Sequence, residues 1–126
     1  AKADAGIIAT GALVHKALKV ADDLSKEGIT VKVLNISTIK PIDSEAVINI
    51  AKTCGAIVSV EEHQIIGGLG SAVSEVLVQN FPVPQEFIGV HDKFGQSGKP
   101  EELIEHYGMG EVSIKDSVKK VIGRKN

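Results

Sequence analysis

The residues able to do chemistry fall in a few short stretches of the chain. The densest is Glu61-Glu62-His63, two carboxylates and an imidazole in a row. Such groups act as general acids and bases or as metal ligands. Their adjacency works against that, because neighbouring side chains leaving a strand point to opposite faces. A metal would have to recruit His15 or His91 as well. A hydrogen-bonded structural or interface role is the simpler reading. Gly67-Gly68-Leu69-Gly70-Ser71 follows, just ahead of an apolar helical pattern. Amides at a helix start attract anions, and glycines let a phosphate approach closely. The string is neither a Walker loop nor a full dinucleotide fingerprint, and it follows the third strand, not the first. A turn with close helix packing, or a subunit contact, is preferred over an anion site.

The remaining reactive groups are weaker. His91-Asp92-Lys93 pairs an acid with an imidazole but offers no nucleophile, so it reads as a solvated turn. Ser97, in Gly95-Gln96-Ser97-Gly98, lacks the nucleophile-elbow spacing. Cys54 ends a helix just before Gly55, where the helix dipole disfavours a thiolate. It reads as buried and inert. As the single cysteine it also excludes an internal disulfide and a multi-cysteine zinc site. His106 reads as a surface or capping residue. The basic tail (Lys115, Lys119, Lys120, Arg124, Lys125) offers a patch for an anionic partner, but cations near a helix C-terminus also favour the macrodipole, and that reading is preferred.

These residues need a scaffold, and the hydrophobic pattern supplies one. GIIAT, VKVLNI, AIVSV and EFIGV are short apolar runs that read as strands at residues 6–10, 31–36, 56–60 and 86–90. Residues 61–64 are expected to be a polar loop. Helical spacing covers residues 13–27, with Val14, Ala17, Leu18, Ala21 and Leu24 on the inner face. A second helix is capped by Asp43 and ended by Gly55, with Ala46, Val47, Ile50 and Ala51 inward. A third spans 70–80, with Ala72, Val73, Val76 and Leu77 inward. A short helix at 100–106 begins on Pro100, and a last one near 113–123 carries a Ser113/Asp116 pair with capping-box spacing. Strands alternating with amphipathic helices imply an α/β fold, a mostly parallel, doubly wound sheet covered on both faces. The expected strand order is second, first, third, fourth. Ligands of such sheets sit at the carboxyl edge, beside the switch point between the first and third strands.

Composition narrows the class further. At 126 residues the chain is one domain of ordinary size, and 43% apolar residues are enough for a real core. A net charge of −2 with no tryptophan argues against nucleic acid as a partner. No apolar run approaches the roughly 18 residues of a membrane span, and no signal peptide is recognisable, so the expected compartment is the cytoplasm. The first strand is expected almost at the start of the chain, with nothing before it to cover it. A domain cut from a longer chain looks like this, and methionine removal accounts for Ala1 equally well.

The string Val60-Glu61-Glu62-His63-Gln64-Ile65-Ile66-Gly67-Gly68-Leu69-Gly70-Ser71-Ala72-Val73 resembles the C-terminal domain of transketolases. Asp92-Lys93-Phe94-Gly95-Gln96-Ser97-Gly98, Pro100-Glu101-Glu102-Leu103, Tyr107-Gly108, Ile8-Ala9-Thr10-Gly11 and Pro41-Ile42-Asp43 fit the same family. The resemblance covers nearly the whole chain and looks strongest to the short or split transketolases of bacteria and archaea. Deoxyxylulose-phosphate synthases and the β subunits of 2-oxoacid dehydrogenases are similar in the same places, but Phe94-Gly95-x-Ser97-Gly98 favours transketolase.

The resemblance implies a three-layer α/β/α domain with a five-stranded mixed sheet. Its fifth, antiparallel edge strand would come from before Ala1 or from residues 2–5. The family moves a two-carbon ketol unit between sugar phosphates, in the pentose phosphate pathway. Thiamine diphosphate supplies the carbanion chemistry. It is held, with Mg²⁺, between pyrophosphate and pyrimidine domains of partner chains. Those domains carry the activating glutamate and the metal ligands, and neither is in these residues. The resemblance thus implies no catalytic, cofactor-binding or metal-ligating residue here, Glu61 and Glu62 included. It implies an assembly domain of a homodimeric parent enzyme, inactive alone. The residues expected to make interface or anion contacts are Glu61, Glu62, His63, Gly67, Gly68, Gly70 and Ser71. Two alternatives remain: a small anion- or nucleotide-binding regulatory module, and a partner-docking domain of a 2-oxoacid dehydrogenase β subunit.

Overall fold

The four apolar runs become one parallel sheet ordered β2-β1-β3-β4, the order expected from the sequence. In the computed structural model, residues 2–39, 41–64, 68–90 and 110–125 are described. They form β1 (Ala5–Ala9), α1 (Leu13–Ser25), β2 (Val31–Asn35), α2 (Ser44–Cys54), β3 (Ile57–Gln64), α3 (Leu69–Asn80), β4 (Gln85–Val90) and α4 (Glu111–Gly123). Every residue of β1 is buried, as a central strand covered on both faces must be. Successive side chains alternate between faces and so serve two cores. Ile7, Ala9, Val58 and Val60 pack with Leu13, Ala17, Val20 and Leu24 of α1 and with Ile114, Val118 and Val121 of α4. Ile8 and Ile57 pack on the other side with Val47, Ile50 and Cys54 of α2 and Leu69, Val73 and Leu77 of α3. The result is the expected α/β/α sandwich.

Several local expectations hold. The Ala46 N–H donates to Asp43 Oδ1 at 3.1 Å, which caps α2. Gly55 closes the helix with φ +72°, a conformation open to glycine at no steric cost. Others do not. The buried stripe of α1 is Leu13-Ala17-Val20-Leu24, and Leu18 is 52% exposed. The two stripes share Ala17 and Leu24, and the observed rotation buries Leu13 and Val20 in place of Leu18 and Ala21. The expected loop at 61–64 is strand: β3 runs on to Gln64 and pairs with Val90 after a register shift beyond Val60. α4 starts earlier than expected, at Glu111 with Gly110 as an N-cap that has no side chain, so the Ser113/Asp116 pair does not cap it. Residues 2–4 form no strand and Ala5 opens β1, so the described residues hold no antiparallel fifth strand. The expected helix at 100–106, His91 and the Phe94–Gly98 string lie outside the described residues.

The basic tail does something neither reading foresaw. Its cations tie α4 to neighbouring elements. Lys115 Nζ lies 2.8 Å from Asp23 and Lys119 Nζ 3.1 Å from Glu27, both pairs joining α4 to α1. Arg124 donates to the Gln85 carbonyl at 3.0 Å and pairs with Glu86, on β4. Lys125 donates to the Asp4 carbonyl at 2.9 Å, joining the last helix to the approach of the first strand.

The Asp23–Lys115 pair sets a pH dependence. The hydrogen bond from Lys115, with the charges of Lys115 and Lys19, holds the Asp23 carboxyl below the usual carboxylate range. The same bond raises Lys115 above the usual lysine range. A lowered acid stabilises the fold above its unfolded pKa, and that contribution is lost as pH falls through the folded value. A raised base stabilises below its unfolded pKa and loses the contribution as pH rises through the folded one. Asp23→Asn should therefore lower the urea midpoint at neutral pH, with the gap to wild type closing in acid. A gap that stays constant from neutral to strongly acid pH would show that the pair does not titrate with folding.

Candidate functional site

The group around Glu61 starts from a burial problem. Glu61 follows Val60 on β3 and is 1% exposed, the only buried carboxylate among the described residues. A carboxylate removed from water needs donors. Oε1 accepts from the Leu69 N–H and Oε2 from the Gly70 N–H, both at 2.7 Å. Leu69 and Gly70 are the first residues of α3, whose amides have no partner inside the helix. The charge also meets the positive end of the helix dipole. The anion at this glycine turn is thus the chain's own side chain, and these two amides are not open to an outside phosphate. Glu62 points the other way and is exposed, as strand alternation requires. His63 lies on β3 with its side chain outside the described set, and Gly67 lies outside the described residues.

The two other glycines have separate reasons. Gly68 is the extended N-cap of α3, the residue from which the helix departs. Gly70 is buried under β3 and β4: a Cβ there would sit 2.6 Å from Phe87 Cδ2 and 3.1 Å from Ser59 Oγ. Gln85 Nε2 donates to both Ser59 Oγ and the Gly70 carbonyl at 3.1 Å, which closes a polar seam across β3, β4 and the first turn of α3. Neither Ser59 nor Gln85 stood out in the sequence reading. The available signal was the serine in the middle of the apolar run AIVSV. Ser71 is half-buried and lines an open groove of 350 Å³ with Ile39, Ile42, Ser44 and Glu75.

The chemistry open to this arrangement is limited. Among the described residues, no three His, Cys, Asp or Glu side chains come together as metal ligands. Glu61, the one buried carboxylate, is committed to the helix amides through both oxygens. A diphosphate with Mg²⁺ needs several free oxygen ligands. Around Glu61 the described residues supply no such set. His15 is exposed on α1, away from any such cluster. Cys54 is buried and its thiol is pushed up by that burial, which makes it unreactive as expected. What the site does is fix the start of α3 on the end of β3.

Glu61→Ala removes both acceptors and should cost about 2–4 kcal/mol in urea unfolding. Acetate or formate should restore part of that loss by entering the vacated site. An unchanged midpoint would mean that the carboxylate does not hold the helix. Gly70→Ala should cost about 1–3 kcal/mol through overpacking, and Phe87→Leu in the same chain should recover part of it. Simple additivity of the two changes would separate Gly70 from Phe87.

Known proteins place this geometry in a family. The model of the transketolase C-terminal domain matches residues 1–114. The 6-deoxy-6-sulfo-D-fructose transketolase subunit SqwH of Clostridium sp. (strain MSTE9) is 44% identical over 123 residues, which is 98% of this chain and 38% of that protein. A putative transketolase C-terminal section of Methanocaldococcus jannaschii is 45% identical over 88% of this chain and 34% of its own length. This chain thus spans little more than a third of those relatives. Among solved structures, a split-gene transketolase, described as an inactive β4 tetramer, superposes with a TM-score of 0.93 at 41% identity, covering 100% of this chain and 41% of that one. The chain belongs to the transketolase C-terminal domain family.

Proposed function

We propose that this chain is the assembly domain of a transketolase that moves a two-carbon ketol unit between sugar phosphates, with thiamine diphosphate and Mg²⁺ held by pyrophosphate and pyrimidine domains outside these residues. The match to the family over residues 1–114 carries the reading. The site geometry supports it, since the buried carboxylate Glu61 is engaged in holding the start of α3. The parent enzyme is proposed to be a cytoplasmic homodimer of the pentose phosphate pathway, with this domain as one unit of a longer or multi-subunit protein. The regulatory-anion alternative loses support at Leu69 and Gly70, whose amides already hold Glu61. Thiamine diphosphate supplies the carbanion chemistry when bound in such an enzyme. This domain contributes position.

The face proposed to meet the catalytic domains is the carboxyl-edge segment from β3 into α3. Its buried members, Glu61 and Gly70, hold the segment in place. Its outward members are Glu62 and, at the groove, Gly68 and Ser71. His63 and Gly67 complete the stretch in sequence.

Incubated with thiamine diphosphate, Mg²⁺, a ketose phosphate and an aldose phosphate, this chain alone should transfer no ketol unit. Calorimetry should show no saturable heat on adding thiamine diphosphate. Turnover or saturable binding would overturn the division of labour. In the assembled enzyme, purified through a tag on this chain, Glu62→Lys should weaken association by about tenfold, because a reversed charge at a contact is strongly disfavoured. The melting temperature of the isolated chain should stay the same, since Glu62 is exposed. Undiminished association in sedimentation velocity would remove this segment from the interface.

A further inference from the structure

We draw no further inference here: the strongest candidate, the groove beside helix α3 lined by Ile39, Ile42, Ser44, Ser71 and Glu75, adjoins the assembly face already proposed, and nothing in the structure shows what covers it.

Discussion

A charge almost fully removed from water has to be met by donors, and in this domain one such charge governs the local architecture. Glu61 leaves β3 into the protein and finds the first two amides of α3. A carboxylate accepts at both oxygens only if the helix presents that turn in one rotation and at one height. The bonds therefore set the register of α3 against the sheet. Gly70 comes to lie under Phe87, where a methyl group would not fit. The Gly70 carbonyl then meets Gln85, which also reaches Ser59. Charge, glycine and polar seam depend on one another, and the pair of amide bonds is the common element.

The rest of the stability has a different origin. Two apolar layers flank the sheet, and alternate residues of β1 and β3 feed both of them. Burial of this kind is the dominant favourable term in folding. The cations of α4 add little each, because exposed ion pairs are worth at most about 1 kcal/mol. Their value lies in where they point. Lys115 and Lys119 align α4 with α1, and Arg124 reaches the β4 edge. Lys125 closes the chain on the carbonyl of Asp4. Together they hold in one orientation a helix whose apolar stripe is Ile114, Val118 and Val121, with Ile122 partly buried beside them.

Strand order and layering could be read from the sequence because both follow from the period of apolar residues and from short connections. The cap at Asp43 and the stop at Gly55 could be read because each depends on residues next to it in sequence. The failures involve partners distant in sequence or choices between similar surfaces. Residues 61–64 read as a loop because they are polar, yet the helix that satisfies Glu61 begins eight residues later. The stripe of α1 was misplaced by one rotation, since leucine at 18 is as apolar as valine at 20. The role of Lys115 depends on Asp23, and no local pattern links them. Close packing at the glycine string is seen at Gly70 against Phe87, and no local pattern identifies Glu61 as the anion at that helix start.

That last point bears on function. A proton or a metal placed on a carboxylate competes with the hydrogen bonds that already stabilise its charge. Glu61 turns an acidic residue of a chemistry-rich string into a structural anchor, with both oxygens on amides of its own chain. Glu62, next to it, has the opposite situation: exposed, and directed away from that anchor. One strand position thus fixes the start of α3 while the next presents a charge outward. Two neighbouring positions of one strand carry opposite duties, Glu61 turned to the amides of α3 and Glu62 turned to solvent.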